Sequence, residues 1–238
     1  YRLAGSAGHT IVPRRPVLVG METEEAWPAS LQGLSLRNVT LSLSSGRKRL
    51  YSELGELLFT HFGVSGPLVL EASCHMPEKS SGSEPLILTV DLNPGLTREQ
   101  LDARLRRDFA EAGKKQLKSV LPGLLPASLA EIFPTLCGID ASLPCSQITS
   151  AQREALLSRL KTLPFTVRAP RPVTEAVVTR GGVSVREIEP GTMRSKLITN
   201  LYFAGEMIDV DAHTGGFNLQ IAWSTGALAG DSAAQSSY

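Results

Sequence analysis

The residues best equipped for chemistry crowd toward the C-terminal end. Leu201-Tyr202-Phe203-Ala204-Gly205-Glu206 sets a carboxylate directly after a short apolar run, and ligands gather at the carboxyl ends of buried strands in α/β sheets. Glu206 in that place can accept hydrogen bonds from ribityl or ribose hydroxyls. Gly215-Gly216 follows, and a backbone without Cβ atoms can come close to a flat ligand. A helix predicted from about Asn218 aims its free N–H groups and the positive end of its dipole at the same place. A Gly-Gly step alone is most often a turn, and strand-Gly-Glu junctions are common. In series the three describe a cradle for a ring that gains negative charge on reduction, as a flavin does near N1 and its C2 carbonyl.

Catalytic candidates are fewer. Histidine titrates near neutrality, so His61 and His213 are candidate acids or bases, with Ser65 a candidate substrate anchor; His9 and His75 have weaker claims. The segment Thr60 to Pro67 also has a purely structural reading, a tight turn opening a helix with Ser65 near its N-cap and Pro67 in its first turn. His213 lies in the glycine-flanked loop before Gly215. Cys74, Cys137 and Cys145 form no C-x-x-C pair, and only the adjacent His75 is near any of them. They read as core or surface thiols, not metal ligands, in a reducing, cytoplasmic setting. No run approaches the ~18 apolar residues of a membrane helix, so no membrane is expected. Twenty-four basic and 23 acidic residues leave a net charge of +1. Arg104, Arg106, Arg107, Lys114, Lys115 and Lys118 are interleaved with Asp102, Asp108 and Glu111. That pattern reads as a solvated helix face, so no nucleic acid partner is expected and a small-molecule substrate is. The oligomeric state has no signal in the sequence.

Around these groups the chain changes character several times. Residues 1–16 read as the end of a cofactor-binding half and a linker, with Pro13 and Pro16 favouring extended strands over helix. Residues 17–93 read as antiparallel β. Leu34 and Leu36 alternate, and Val39, Leu41 and Leu43 alternate one position out of phase, which requires a bulge near Arg37-Asn38. A Gly46 turn, a strand through Leu57 to Phe59 and an alternating face at Leu86, Leu88, Val90 and Leu92 complete that part. Residues 94–163 read as a helical unit: Thr97 and Gln100 make a capping box before Leu101, Leu105 and Phe109, and Thr149 and Gln152 make another before Leu156, Leu157 and Leu160. Between them a helix is predicted near Ser128 to Leu136, with Pro134 able to end it early. Residues 164–187 return to strands, at Phe165 to Arg168 and Val173 to Val178, which predicts one barrel with the helices as an excursion from it. Residues 188–238 read as strand at Leu201 to Ala204, then loop, then a helix whose Ala222, Gly226 and Gly230 make a narrow face for close packing.

The motifs Val178-Thr179-Arg180-Gly181-Gly182-Val183, Thr192-Met193-Arg194-Ser195-Lys196, Leu201 to Glu206, Asp209-Val210-Asp211 and Thr214 to Gln220 resemble, in order and spacing, the bacterial BaiN-type flavoproteins. These are also called aminoacetone-oxidase-like or two-dinucleotide-binding-domain flavoproteins. Gly8-His9-Thr10-Ile11-Val12-Pro13 and Phe59 to Pro67 resemble the same family's upstream motifs, so the resemblance spans nearly the whole chain. It implies an α+β plan: an antiparallel β-barrel and a helical bundle inserted into a Rossmann-type FAD-binding domain, whose C-terminal segment ends the chain. It further implies that Gly205, Glu206, Asp209, Gly215, Gly216, Phe217, Asn218 and Leu219 lie along the flavin, mostly through backbone groups. Ala212 stands where the family commonly has Gly, so the loop from Asp209 to Thr214 is expected to differ in shape. Neither G-x-G-x-x-G nor a P-loop occurs. Because such glycines let a pyrophosphate meet a helix N-terminus, the chain is expected to be a C-terminal portion that binds FAD weakly by itself. The activity implied is electron transfer from NAD(P)H through FAD to a small organic acceptor or oxygen. The rival readings are a tRNA-modifying type of FAD protein, favoured by any basic groove, and a non-catalytic barrel-and-helix binding module.

Overall fold

A computed structural model describes residues 1–77 and 84–235. They divide into two compact units, one made of Tyr1–Gly20 with Pro170–Tyr238 and the other of Met21–Ala169. The chain opens in the first with a short helix α1 (Arg2–Ser6) and a strand β1 (Ile11–Val17). Pro13 and Pro16 are tolerated in β1 because it has a neighbour on one side only, and its register shifts between Val12 and Arg15 where Pro13 intervenes.

The second unit is a closed barrel with strand order β2-β5-β4-β3-β6-β7. Its strands are β2 (Met21–Thr23), β3 (Ser35–Ser45), β4 (Lys48–Thr60), β5 (Gly63–Ser65), β6 (Leu86–Asp91) and β7 (Leu163–Pro170). Alternation sends Leu41, Leu43, Leu57, Phe59, Leu88, Val90 and Phe165 into the interior, where all are buried. The phase slip in β3 falls where the sequence requires it, between Leu36 and Val39, with Asn38 at φ +55°. After β5 comes α2 (Pro67–Cys74), with Pro67 in its first turn and Gly66 at the N-cap, one residue after Ser65. Ser65, next to that N-cap, ends β5 opposite Leu58, and Gly66 at φ +90° makes the corner into the helix.

Between β6 and β7 lie α3 (Arg98–Ala112), α4 (Ala127–Leu136) and α5 (Ser150–Lys161). Both capping boxes form as expected, Thr97 with Gln100 and Thr149 with Gln152. Pro134 sits inside α4 without ending it early. Leu101, Leu105 and Phe109 of α3 and Leu156, Leu157 and Leu160 of α5 join the barrel's own residues in one continuous apolar cluster. Burial pushes the Cys137 thiol up to about 12, which leaves it protonated and inert.

Back in the first unit, Val173–Glu175 is a single 3₁₀ turn, not a strand, because Pro170 and Pro172 break the extended run. Strand β8 (Val178–Val183) then pairs antiparallel with β1 and not with the barrel. Leu201 to Ala204, expected as a strand, is coil held at points: Tyr202 bridges Arg194, and Phe203 N–H donates to the Met193 carbonyl. The chain ends in α6 (Phe217–Gln235). Ala4, Val183, Ile188, Met193, Phe203, Ile208 and Ala229 form this unit's core. Gly226 and Gly230 of α6 are exposed, with nothing within 4 Å of where a Cβ would stand. No helix among the described residues is long and apolar enough to cross a membrane.

Candidate functional site

The turn after Phe203 is where the C-terminal motifs meet. Gly205, at φ +70°, starts a 3₁₀ turn (Gly205–Met207), and its N–H donates to Thr225 Oγ1 at 2.9 Å. Thr225 in turn donates to the Ile221 carbonyl of α6, so turn and helix are tied. Glu206 Oε1 accepts from both the backbone N–H (2.7 Å) and the hydroxyl (2.9 Å) of Thr179 in β8. The carboxylate therefore has one oxygen engaged in fixing β8 against the turn. The loop that follows is anchored at Asp209, Asp211 and Ala212. Asp209 N–H donates to the Val183 carbonyl at 2.9 Å. Arg180 grips Asp211 with two bonds, Nε to Oδ1 at 2.8 Å and a terminal nitrogen to Oδ2 at 2.7 Å. Asn218 accepts from the Ala212 N–H and donates to the Ala212 carbonyl.

These anchors border a cavity of about 400 Å³, within the ~300–1,000 Å³ usual for small-molecule sites. Its lining is mainly apolar, from Leu18, Val177, Val178 and Val210 together with Leu219, Ile221 and Ala222 of α6. Glu206, His213, Thr214 and Asn218 add polar groups to the lining, and Gly215-Gly216 adds bare backbone. Gly215 and Gly216 hold φ of +108° and +89°, a region side-chain-bearing residues rarely enter, and the space where a Gly216 Cβ would stand is open. Gly216 leads into the first turn of α6, whose Gln220 N–H is bonded to the Gly216 carbonyl. The N–H groups before Gln220 have no acceptor inside the helix. A flat ring with an electron-rich edge fits this donor set: apolar faces, a backbone close at one side, and helix N–H groups at the end.

Of the residues expected along a flavin, Glu206, Gly215, Gly216, Asn218 and Leu219 line the cavity; Gly205, Asp209 and Phe217 adjoin it in sequence without lining it. Of the catalytic candidates, His213 lines it. His61 and Ser65 belong to the barrel unit, where His61 is exposed in the β4–β5 turn with its ring edge-on to Phe62. Sequence reasoning missed Thr179 as the partner of Glu206, and Leu18, a buried residue at φ +51°. Only a non-glycine residue in that strained region marks Leu18 as unusual, and strain of that kind is invisible before the structure.

His9 has a stronger place than its sequence context indicated. Its ring is fully buried, with Nδ1 3.1 Å from Glu187 Oε2 and Nε2 2.8 Å from Ser195 Oγ. Glu187 also accepts from the Thr10 hydroxyl and backbone N–H; these bonds, followed by the one to His9, hold its carboxyl below the ordinary carboxylate value. Ser195 Oγ accepts from the N–H groups of Leu197 (3.0 Å) and Ile198 (2.9 Å). The Phe203 ring stands edge-to-face on His9 at 4.6 Å.

Residues 15–178 match the family described as HI0933-like protein barrel and H2TH domain. Over 99% of its length the chain is 31% identical to a 3-dehydro-bile acid delta(4,6)-reductase of Clostridium scindens. It is also 31% identical to a ribosomal RNA dihydrouridine synthase of Haemophilus influenzae and 33% identical to one of Escherichia coli, each over 94% of the chain. The chain spans about half the length of these relatives, 57%, 53% and 53% respectively. Two relatives named for ribosomal RNA overturn the expectation that nucleic acid plays no part. The net charge behind that expectation is a sum over 238 residues. A sum near zero does not describe how charge is laid out on any one face.

Proposed function

The chain belongs to the HI0933-like protein barrel and H2TH domain family, and on that premise we propose that its C-terminal unit forms the ring-facing side of the FAD site in an oxidoreductase. The observation that carries this reading is the cavity in which Gly215-Gly216, Glu206 and the first turn of α6 converge. When bound, FAD would supply two-electron hydride chemistry between a reduced nicotinamide and an acceptor. The chain's own residues do the rest. The apolar walls exclude water from the ring faces, the helix N–H groups hold negative charge at the ring's edge, and the free oxygen of Glu206 accepts from a sugar-type hydroxyl. His213, at the margin, is the proton carrier best placed to serve an acceptor bound beside the ring.

The names of the relatives narrow the acceptor. A delta(4,6)-reductase of a 3-dehydro steroid and a dihydrouridine synthase both add hydrogen across a ring C=C conjugated to a carbonyl. We assign this chain to the same reaction class, with hydride going to the carbon remote from the carbonyl and a proton to its neighbour. Ribosomal RNA and a 3-dehydro-bile acid are the acceptors that the relatives' names give.

Flavin per polypeptide in the purified full-length protein tests the cofactor reading. Gly216→Val puts a β-branched side chain at φ +89° and into the cavity edge, so flavin content should fall several-fold. His61→Ala, on an exposed turn of the other unit, should leave it near normal. A Gly216→Val protein carrying full flavin would sink the proposal. For the acceptor, a gain of two mass units in a uridine of ribosomal RNA or in a 3-oxo-Δ4 steroid, driven by NADH or NADPH, is the expected readout.

A further inference from the structure

We infer that the Arg180–Asp211 ion pair is a positioning clasp that sets flavin affinity by holding the loop 209–214 closed along the cavity, an inference that rests on the flavin reading above. Val210, His213 and Thr214 of that loop line the cavity, and Asp211 itself does not. Asp211 is turned to Arg180 on β8, and that strand contributes Val178 to the same cavity's lining. The clasp therefore ties two lining segments of the site, the loop and β8, to each other, while neither of its own residues lines the cavity.

Its chemistry makes it stronger than the loop's bonds at Asp209 and Ala212. The bonds at Asp209 and Ala212 are neutral, whereas the pair is bidentate and charge-assisted, a geometry that fixes orientation as well as distance. The side chains are only 28% and 12% exposed, so solvent screens them less than a surface pair. Ala212, the next residue, is held on both its N–H and its carbonyl by Asn218, the second residue of the α6 turn that carries the ring-facing donors. Movement of Asp211 is thus passed to Ala212, to Asn218 and to the donors themselves. Opening the clasp should loosen the fit between wall and ring without removing any group that contacts the ring.

The test is a double-mutant cycle on flavin affinity in the full-length apoprotein, read from quenching of FAD fluorescence. Arg180→Ala and Asp211→Ala should each weaken binding roughly tenfold, and the double variant by about the same factor and not by about a hundredfold, because each single change already opens the clasp. Arg180→Lys keeps the charge but not the fork and should recover only part of the loss. Thermal unfolding of the apoproteins separates the alternatives. Unchanged affinity with a lowered midpoint, or additive losses in the cycle, would overturn the clasp while leaving the flavin reading intact. A wild-type protein that takes up no FAD would overturn both.

Discussion

At the scale of single residues, the His9 cluster shows why geometry has to be read together with saturation. A serine, a histidine and a carboxylate in hydrogen-bonded series have the form of an activated nucleophile. Ser195 Oγ, however, accepts two backbone N–H groups while its own proton faces His9, and the residue is 5% exposed. No lone pair remains to attack anything, so the series is a latch joining residues 9 and 10 to residues 187–198. With Ser195 donating to Nε2, the Nδ1–H is left to face Glu187, a tautomer assigned from the network. Ser195→Ala strands buried His9 Nε2 and frees the half-buried amides of Leu197 and Ile198, and the first unit should lose about 1–2 kcal/mol, read from its urea midpoint. The Glu187 carboxyl is lowered in the folded state by the Thr10 hydroxyl first, then the Thr10 N–H and His9. Its stabilisation is therefore present above the ordinary carboxylate value and is lost as pH falls through the lowered one. Midpoints measured from pH 7 down to pH 3 should fall less steeply for Glu187→Gln than for wild type, and parallel curves would refute this.

At the scale of elements, the helices between β6 and β7 share one apolar core with the barrel. Asp102 of α3 takes one bond from Arg106 in its own helix and one from Arg153 in α5, both at 2.8 Å, so the two helices move as a pair. The same pair sends Leu101, Leu105, Leu156 and Leu160 into the cluster that contains the barrel's Leu88 and Phe165. Removing residues 97–161 and joining the ends should therefore abolish the strand signal in circular dichroism; a barrel spectrum that survives would show two separable cores. What was legible here was local. A capping box spans four residues, and a phase slip shows within one strand, so Thr97, Thr149 and the bulge at Asn38 could be read directly. The β1–β8 pairing could not, because its partners lie some 170 positions apart and the prolines around both strands hide the alternation. Leu201 to Ala204 misled for the opposite reason: Phe203 is apolar because it is buried against His9, and burial alone does not make a strand. In the site, Gly215, Gly216 and Glu206 were legible from residue type, whereas Thr179, Arg180 and Asp211 act through pairings that only the fold creates.

At the scale of the whole molecule, the chain leaves the first unit after Gly20 and returns at Pro170, and the two points are adjacent. The Arg171 N–H donates to the Gly20 carbonyl at 2.9 Å, so residues 21–169 depart and come back through a single gap. An insertion whose ends meet places no demand on its host beyond that gap, and its own stability must come from within. Here it does: the barrel is closed, which leaves no strand edge to be covered, and its core is continuous with the helices. A unit of about 150 residues buries enough surface to fold alone. Residues 21–169 expressed by themselves should therefore unfold in one cooperative transition, with near-native strand and helix signals and no affinity for FAD, since every residue lining the proposed flavin cavity lies outside them. The complementary chain, Gly20 joined to Pro170 by a short glycine linker, should keep the His9 latch and the Arg180–Asp211 clasp. A non-cooperative melt of 21–169 would mean that the barrel depends on its host, and FAD binding by 21–169 would move the cofactor site into the barrel.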